Sequence, residues 1–415
     1  MQQLKNFLDF AVTPYHAVNA LQKIFEDAGF QKAEGTLEPL KKYFIVRGGT
    51  SICAFRLPAS VTDQTTFRIA TAHSDFPGFR LTPNADRNDA SGHLLHSEVY
   101  GSPILSSWFD RDLGIAGNIV TEDLQSVLFA DDSLCRIPNL AIHLTRGKAE
   151  PKPINTQTEM NALCDFEETL EQHLAHIAGK KILSFDARFF DRAPAQISAS
   201  GSNANASKLI SCGRLDNLLA ALATARALAN CNDTKNIAVA CIFDHEEIGS
   251  KSREGAGGNF LQGSLEYIAN AVGMPHAELF DRYAKSFMLS MDAAHAVHPN
   301  HLEAHDPQNM PKLGGGSVVK VNAQKRYATD IYSEAYFRKI AKDIPLQTFV
   351  SRNDMPCGST VGPTLSASLG IPTVDIGVPL LSMHSIRETA NFGDFLNHQL
   401  CAKAVFESDE PYPFA

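Results

Sequence analysis

The sequence predicts an α/β fold: a mostly parallel central sheet flanked by helices, with a β-rich domain inserted into it. Two observations carry this. In the C-terminal half, apolar runs of strand length alternate with segments of helical periodicity, as βαβ crossovers require. Between residues 81 and 207 the texture changes to short alternating runs broken by Pro, Gly, Asn and Ser, as in antiparallel β-structure. Residues 1–80 and 208–415 are therefore expected to form one discontinuous α/β domain and 81–207 an insertion. A chain of 415 residues exceeds what one hydrophobic core usually serves, which agrees with two units.

Taken in order, Leu4, Phe7, Leu8 and Val12, then Val18, Leu21, Ile24 and Phe25, fall at helical spacings, and Thr13-Pro14 divides them into two helices. The runs KKYFIVRGG, SICAFRL and TFRIATAHS read as strands. Within the insertion HLLHSEVYG, RIPNLAIHL and PAQISAS alternate, with one helix near 167–178. The segment RLDNLLAALATARALANC is apolar nearly all round, which makes it a buried helix. NIAVACIFDHEEIGS supplies a strand, followed by a helix from about Gly263, strands KSFMLSMD and VVKV, a helix near 333–342 and the strand PTVDIGV. Sheets of this kind place ligands at the carboxyl ends of their strands.

Composition narrows the function classes. With 44% hydrophobic and 20% charged residues the chain reads as a globular enzyme rather than a disordered one. A net charge of −9 and a pI near 5.9 give no general attraction to nucleic acid or anionic membranes. The eight cysteines form no C-x-x-C pair, and several sit in apolar runs, so free thiols in a reducing compartment are expected. The first residues lack the continuous apolar stretch of a signal peptide, and no run reaches membrane-spanning length. The expected location is the cytoplasm.

NIAVACIFDHEEIGS ends a buried strand in two adjacent glutamates, Glu246 and Glu247. Such a pair repels itself and loses hydration in a cleft unless positive charge is near. The bland explanation is a strand surfacing into the first turn of a helix, where water screens carboxylates. Other strand-like runs close in the same manner, however: His73 and Asp75 after TFRIATA, Asp292 after SFMLSM, and His384 after PTVDIGVPLLSM. Asp216 opens the buried Ala/Leu helix. On the carboxyl rim of a parallel sheet these would meet, and two imidazoles among several carboxylates suit a pair of divalent cations such as zinc, manganese or cobalt. Paired cations would explain the adjacent glutamates, one as ligand and one as base for an activated water, and the expected reaction is hydrolysis. Asp75, two residues after His73, would face the second ring nitrogen and fix its tautomer. The alternative for Asp75 alone is a solvated turn residue.

Together AHSDFPGFRL, GRLDNL, FDHEEIGS, SMDAAHAVHPN, KVNAQKRYA and GVPLLSMHSIRE, with TPYHAV near the start, resemble the aspartyl aminopeptidase family of cocatalytic metallopeptidases over about residues 13–390. That resemblance implies that His73, Asp216 and Asp292 hold one metal ion and Asp216, Glu247 and His384 the other, with Asp216 bridging. It implies Glu246 as general base, Asp75 as the orienting acid, and His295 beside the substrate. Lys320 would meet an acidic substrate side chain, and His143 would enter a neighbouring subunit's site. It further implies two zinc ions per subunit, a peptide substrate beginning with Asp or Glu, a dimerising insertion and a tetrahedral dodecamer.

Each assignment has a plainer competitor. Lys320 alternates with valines and could be a solvated strand lysine, His143 in LAIHL could be a core histidine on a strand, and His295 could be structural. His298, His301 and His305 lie in a Pro- and Asn-bearing loop, where local hydrogen bonding is the usual case. No phosphate loop, dinucleotide fingerprint or G-x-S-x-G elbow occurs. Two rival functions share the ground: a broad or neutral aminopeptidase or N-acyl amino acid amidohydrolase with the same dinuclear chemistry, and an oligomeric binding protein with a vestigial site.

Overall fold

The computed structural model describes residues 1–146, 153–198 and 208–414. Among them, four strands form the centre of a large sheet in the spatial order Ile237–Phe243, Phe67–His73, Phe287–His295 and Thr373–Leu381, each parallel to the next. Along Ile237–Phe243, Ala238, Ala240 and Ile242 enter one core while Ile237, Val239, Cys241 and Phe243 enter the other. Both faces of the strand are thus dry, which is why it reads as a continuous apolar run rather than an alternating one.

The first face is covered by helices Gln2–Phe10, Pro14–Asp27, Leu215–Ala229 and Phe392–Phe406. Phe260–Ala271 and Val361–Leu369 cover the second. Thr13 caps Pro14–Asp27 by accepting from the His16 N–H, with proline at the first helical position, so the expected break lies at Thr13-Pro14. Leu215–Ala229 is buried along nearly its whole length, and each leucine it removes from water contributes about 1.5–3 kcal/mol.

The expectation of a mostly parallel sheet holds only at the centre. Ser51–Arg56 and Lys42–Arg47 extend one side antiparallel, and Glu388–Asn391, Leu209–Cys212 and Gln196–Ile197 extend the other antiparallel. Ser317–Val321 also runs against Thr373–Leu381. The sheet is therefore mixed. Lys42–Arg47 and Ser51–Arg56 are joined by a tight turn, which forces antiparallel pairing.

Strands Gly78–Asp89, Gly92–Tyr100, Leu113–Thr121, Ser126–Arg136, Ala162–Cys164 and Ile182–Asp191 close into a separate barrel, with Leu170–Ala178 packed on it. Phe79, Leu95, Ile115 and Phe189 belong to its core. Ile386, from the segment after Thr373–Leu381, also joins that core and ties the barrel to the main sheet.

Candidate active site

Parallel register brings the candidate residues together. Phe243 pairs with His73, and Thr71 pairs with Ser290, two residues before His73 and Asp292 on their strands. Glu246 and Glu247 follow on a 3₁₀ turn, and His245 before them adopts φ 64°, the left-handed region, to turn the chain. Asp216 lies in the non-helical first turn of Leu215–Ala229, and the Asn217 side chain donates to the Met291 carbonyl at 3.0 Å.

The two histidines share one geometry. Nδ1 of His73 is 3.0 Å from the Asp75 carbonyl oxygen and 3.3 Å from its carboxylate. Donating there leaves the Nε2 lone pair toward Asp216 Oδ1 at 3.5 Å and Asp292 Oδ1 at 3.4 Å. Nδ1 of His384 meets the Ser102 carbonyl at 3.0 Å, and its Nε2 lies 3.5 Å from both Asp216 Oδ2 and Glu247 Oε2. His73, Asp216 and Asp292 thus form one potential ligand group and Asp216, Glu247 and His384 another, sharing Asp216. A further group joins His73 to Glu246 and Glu247.

The charge balance fits cations. Burial, together with the charges of Asp292, Asp75 and Asp216, pushes the Glu246 carboxyl up to about 8 against the opposing charge of His73. Glu247 is raised well above the usual range by burial and by Asp216. Burial alone would lower the His384 imidazole, but Asp216 outweighs it and raises the ring to about 9. Oδ1 of Asp216 is buried without a hydrogen-bond partner among the described residues. A glutamate pair driven toward neutrality, imidazoles drawing protons and an orphaned oxygen mark a place that demands positive charge, while, against burial, hydrogen bonds and charge from the histidines hold Asp216 down. The mixed imidazole and carboxylate donors suit zinc, manganese or cobalt.

Supporting groups hold this cluster. Asp75 is fully buried, and its carboxylate accepts the N–H groups of Glu246 and Glu247, each at 3.1 Å, and the Tyr100 hydroxyl at 2.7 Å. It thus orients the glutamate pair as well as standing beside His73, whose nearer partner is the Asp75 carbonyl. Glu388, also buried, accepts the N–H of Asp216 at 3.1 Å and of His384 at 2.8 Å. Tyr100, Ser102 and Glu388 received no role from the sequence. Glu388 stood there as the last residue of the MHSIRE segment, and Tyr100 only as part of the alternating run HLLHSEVYG.

A cleft of about 440 Å³ opens over the cluster, lined also by His295, Lys320, Tyr327, Phe349 and Thr360. Lys320 is buried rather than solvated: its Nζ donates to Asp292 Oδ2 at 3.0 Å and to the Ala293 carbonyl at 2.8 Å, and lies 4.8 Å from the centre of the Tyr327 ring. Against the opposing effect of burial, the Asp292 charge raises its pKa. His295 ends Phe287–His295 at the cleft, its pKa lowered by burial and then by Lys320. His298, His301 and His305 stay outside the potential ligand groups among the described residues: His305 accepts the His298 N–H at 3.0 Å, and His301 lies 3.0 Å from Glu303. His143 does not line this cleft. It sits exposed in a helical turn, Ile142–Thr145, not on a core strand, because the barrel strand Ser126–Arg136 has already ended.

Residues 7–406 match the family described as Aminopeptidase I zinc metalloprotease (M18). A probable M18 family aminopeptidase 2 of Pseudomonas fluorescens is 37% identical over 99% of this chain and 99% of its own. The cryo-EM structure of the Ape4 and Nbr1 complex contains a chain that is 32% identical, superposes with a TM-score of 0.87, and matches 98% of this chain and 85% of itself. The S. cerevisiae mApe1 dodecamer shares the fold, with a TM-score of 0.83 at 23% identity over 98% of this chain and 97% of that one.

Proposed function

Taking as premise that this chain belongs to the M18 family of zinc metalloproteases, we propose that it removes N-terminal residues, preferentially Asp or Glu, from peptides at a dinuclear site. The observation that carries the dinuclear reading is the sharing of Asp216 by two potential ligand groups beneath one cleft. His73, Asp216 and Asp292 would hold one zinc ion and Asp216, Glu247 and His384 the other. When bound, the ions supply Lewis-acid polarisation of the scissile carbonyl and of the attacking water.

The chain's own residues do the rest. Glu246 lines the cleft without belonging to either of those two ligand sets, so it is free to take a proton from water and return it to the leaving amine. Asp75 aims it through the main-chain N–H. His295, neutral at pH 7 by the direction of its shift, can donate a hydrogen bond to the developing oxyanion. Residues 1–80 and 208–415 serve as the catalytic domain, with 81–207 as the inserted dimerisation domain; the separate barrel between Gly78 and Asp191 supports this division, while Gln196–Ile197 pairs with Leu209–Cys212 in the main sheet. The exposed side chains of Leu140 and Leu144 in that insertion support self-association, and the dodecameric architecture of the yeast neighbour supports a twelve-subunit shell. We place the enzyme in the cytoplasm, a reducing compartment that suits its buried free thiols; among the described residues no helix is long and apolar enough to cross a membrane.

Lys320 would receive the acidic side chain of the substrate, but two of its three N–H donors already serve Asp292 and Ala293. That ion pair favours a second reading, a broad or neutral aminopeptidase. The test is hydrolysis of Asp-, Glu-, Leu- and Lys-anilides before chelation, after it, and after adding back zinc, manganese or cobalt. Metal-restored cleavage confined to Asp and Glu, lost selectively in Lys320→Ala, supports the acidic preference. Cleavage led by Leu or Lys supports the second reading. Glu246→Gln should abolish nearly all turnover with metal retained, and full turnover in that variant would remove Glu246 from the mechanism.

A further inference from the structure

We infer that the barrel is part of the catalytic apparatus of its own chain, with Tyr100, Gly101 and Ser102 as positioning residues for the cluster. This rests on the hydrolytic reading above and adds to it.

These three consecutive residues, the last of the barrel strand Gly92–Tyr100 and the two that follow it, reach three different members of the site. The Tyr100 hydroxyl donates to Asp75 at 2.7 Å, and that carboxylate also accepts the N–H groups of Glu246 and Glu247 and lies 3.3 Å from His73 Nδ1. Gly101, at φ +67°, lies so close to Glu247 that an added Cβ would stand 3.1 Å from the Glu247 Cβ. The Ser102 carbonyl accepts from His384 Nδ1 at 3.0 Å, which fixes the tautomer that turns Nε2 toward Asp216 and Glu247. One short segment therefore sets the base, a ligand carboxylate and a ligand imidazole.

The segment is itself fixed from within the barrel. Arg188, on Ile182–Asp191, lies with its guanidinium 4.2 Å from the centre of the Tyr100 ring, and its Nε and Nη1 have no hydrogen-bond partner among the described residues. An unpaired buried guanidinium is costly unless negative charge surrounds it. Asp186 is 4.0 Å away, and the buried Asp75 and Asp244 act on it as well. Arg188 thus supplies barrel-borne positive charge behind a site-borne carboxylate, and holds the Tyr100 ring in place while doing so.

Tyr100→Phe tests this with little change of shape. Its kcat should fall about 10–100-fold with KM within about twofold, the size seen when a hydrogen bond behind a ligand is removed. Gly101→Ala, which presses on Glu247, should show the same split. The visible absorption of the cobalt-loaded protein gives a readout that needs no turnover, and it should change in both variants. Tyr15→Phe is the control, since its hydroxyl touches Asp186 at 3.4 Å and not Asp75, and it should leave kcat within about twofold. Unchanged kcat and unchanged cobalt absorption in both variants would overturn the inference, as would losses explained wholly by a lowered melting temperature. If the wild-type protein cleaves none of the peptide substrates, the hydrolytic reading fails, and the cobalt absorption alone still decides the positioning role.

Discussion

A carboxylate that accepts main-chain N–H groups from two separate segments fixes the distance between them, and Glu388 does this for Asp216 and His384. Both are candidate ligands of the same ion, so the clamp sets how they share it. Burial, and then the Asp216 charge, raises the Glu388 carboxyl to about 8, the mark of a group kept in a place unfavourable for a lone acid. Glu388→Gln keeps the shape but sets an amide NH₂ against one of the two N–H donors. A buried donor left unpaired costs about 1–3 kcal/mol. Metal affinity at the Asp216, Glu247 and His384 position should accordingly fall about 10–100-fold. Competition against a graded series of chelators, with metal content measured at each step, reads this directly. Two ions held as tightly as in the wild type would exclude the clamp.

Helix Pro14–Asp27 carries an acid-sensitive contact outside the lining of the cleft. His16 is buried, its Nδ1 lies 2.8 Å from the Thr13 hydroxyl, and burial followed by the Arg214 charge lowers its pKa to about 4. The unfolded chain, with an ordinary histidine near 6.5, takes up a proton over a range in which the native protein does not. Stability from neutral His16 is therefore present above about pH 6.5, declines below it, and is lost as pH falls through about 4. Between pH 7.5 and 5 the wild type should lose about 2 kcal/mol more than His16→Gln in denaturant unfolding. Equal pH slopes in the two proteins would show that His16 titrates alike in both states. The same helix shows what was legible in the sequence. Thr13-Pro14 and the spacing of Val18, Leu21 and Phe25 announce it locally, as the all-apolar run announces Leu215–Ala229. The four strand ends bearing the candidate ligands were equally visible, because a dry strand ending in charge is a local pattern. Strand direction is not local: whether Glu388–Asn391 or Ser317–Val321 runs with or against Thr373–Leu381 depends on the path between them. Four residues reading ETAN also carry no periodicity, and the bond from Tyr100 to Asp75 joins positions 25 apart on different layers.

At the scale of the whole molecule, the insertion has two edges with different duties. Tyr100 to Ser102 face the site of their own chain. His143 is exposed and absent from that cleft, with the exposed Leu140 and Leu144 beside it, and we propose that it serves a neighbouring subunit's site. In a two-fold dimer the contact is reciprocal, so each subunit would complete the other's site. This predicts complementation between two defective chains. His143→Ala lacks the group it should give, yet keeps its own Glu246; Glu246→Gln lacks the base, yet still offers His143. Each alone should be nearly inactive. Co-expressed in equal amounts, half of the dimers are mixed and each has one complete site, so activity should recover to about a quarter of wild type. Differently tagged chains, purified through both tags in succession, confirm that mixed particles formed. Mixed particles with no recovered activity would confine His143 to a structural role and leave each cleft complete within one chain.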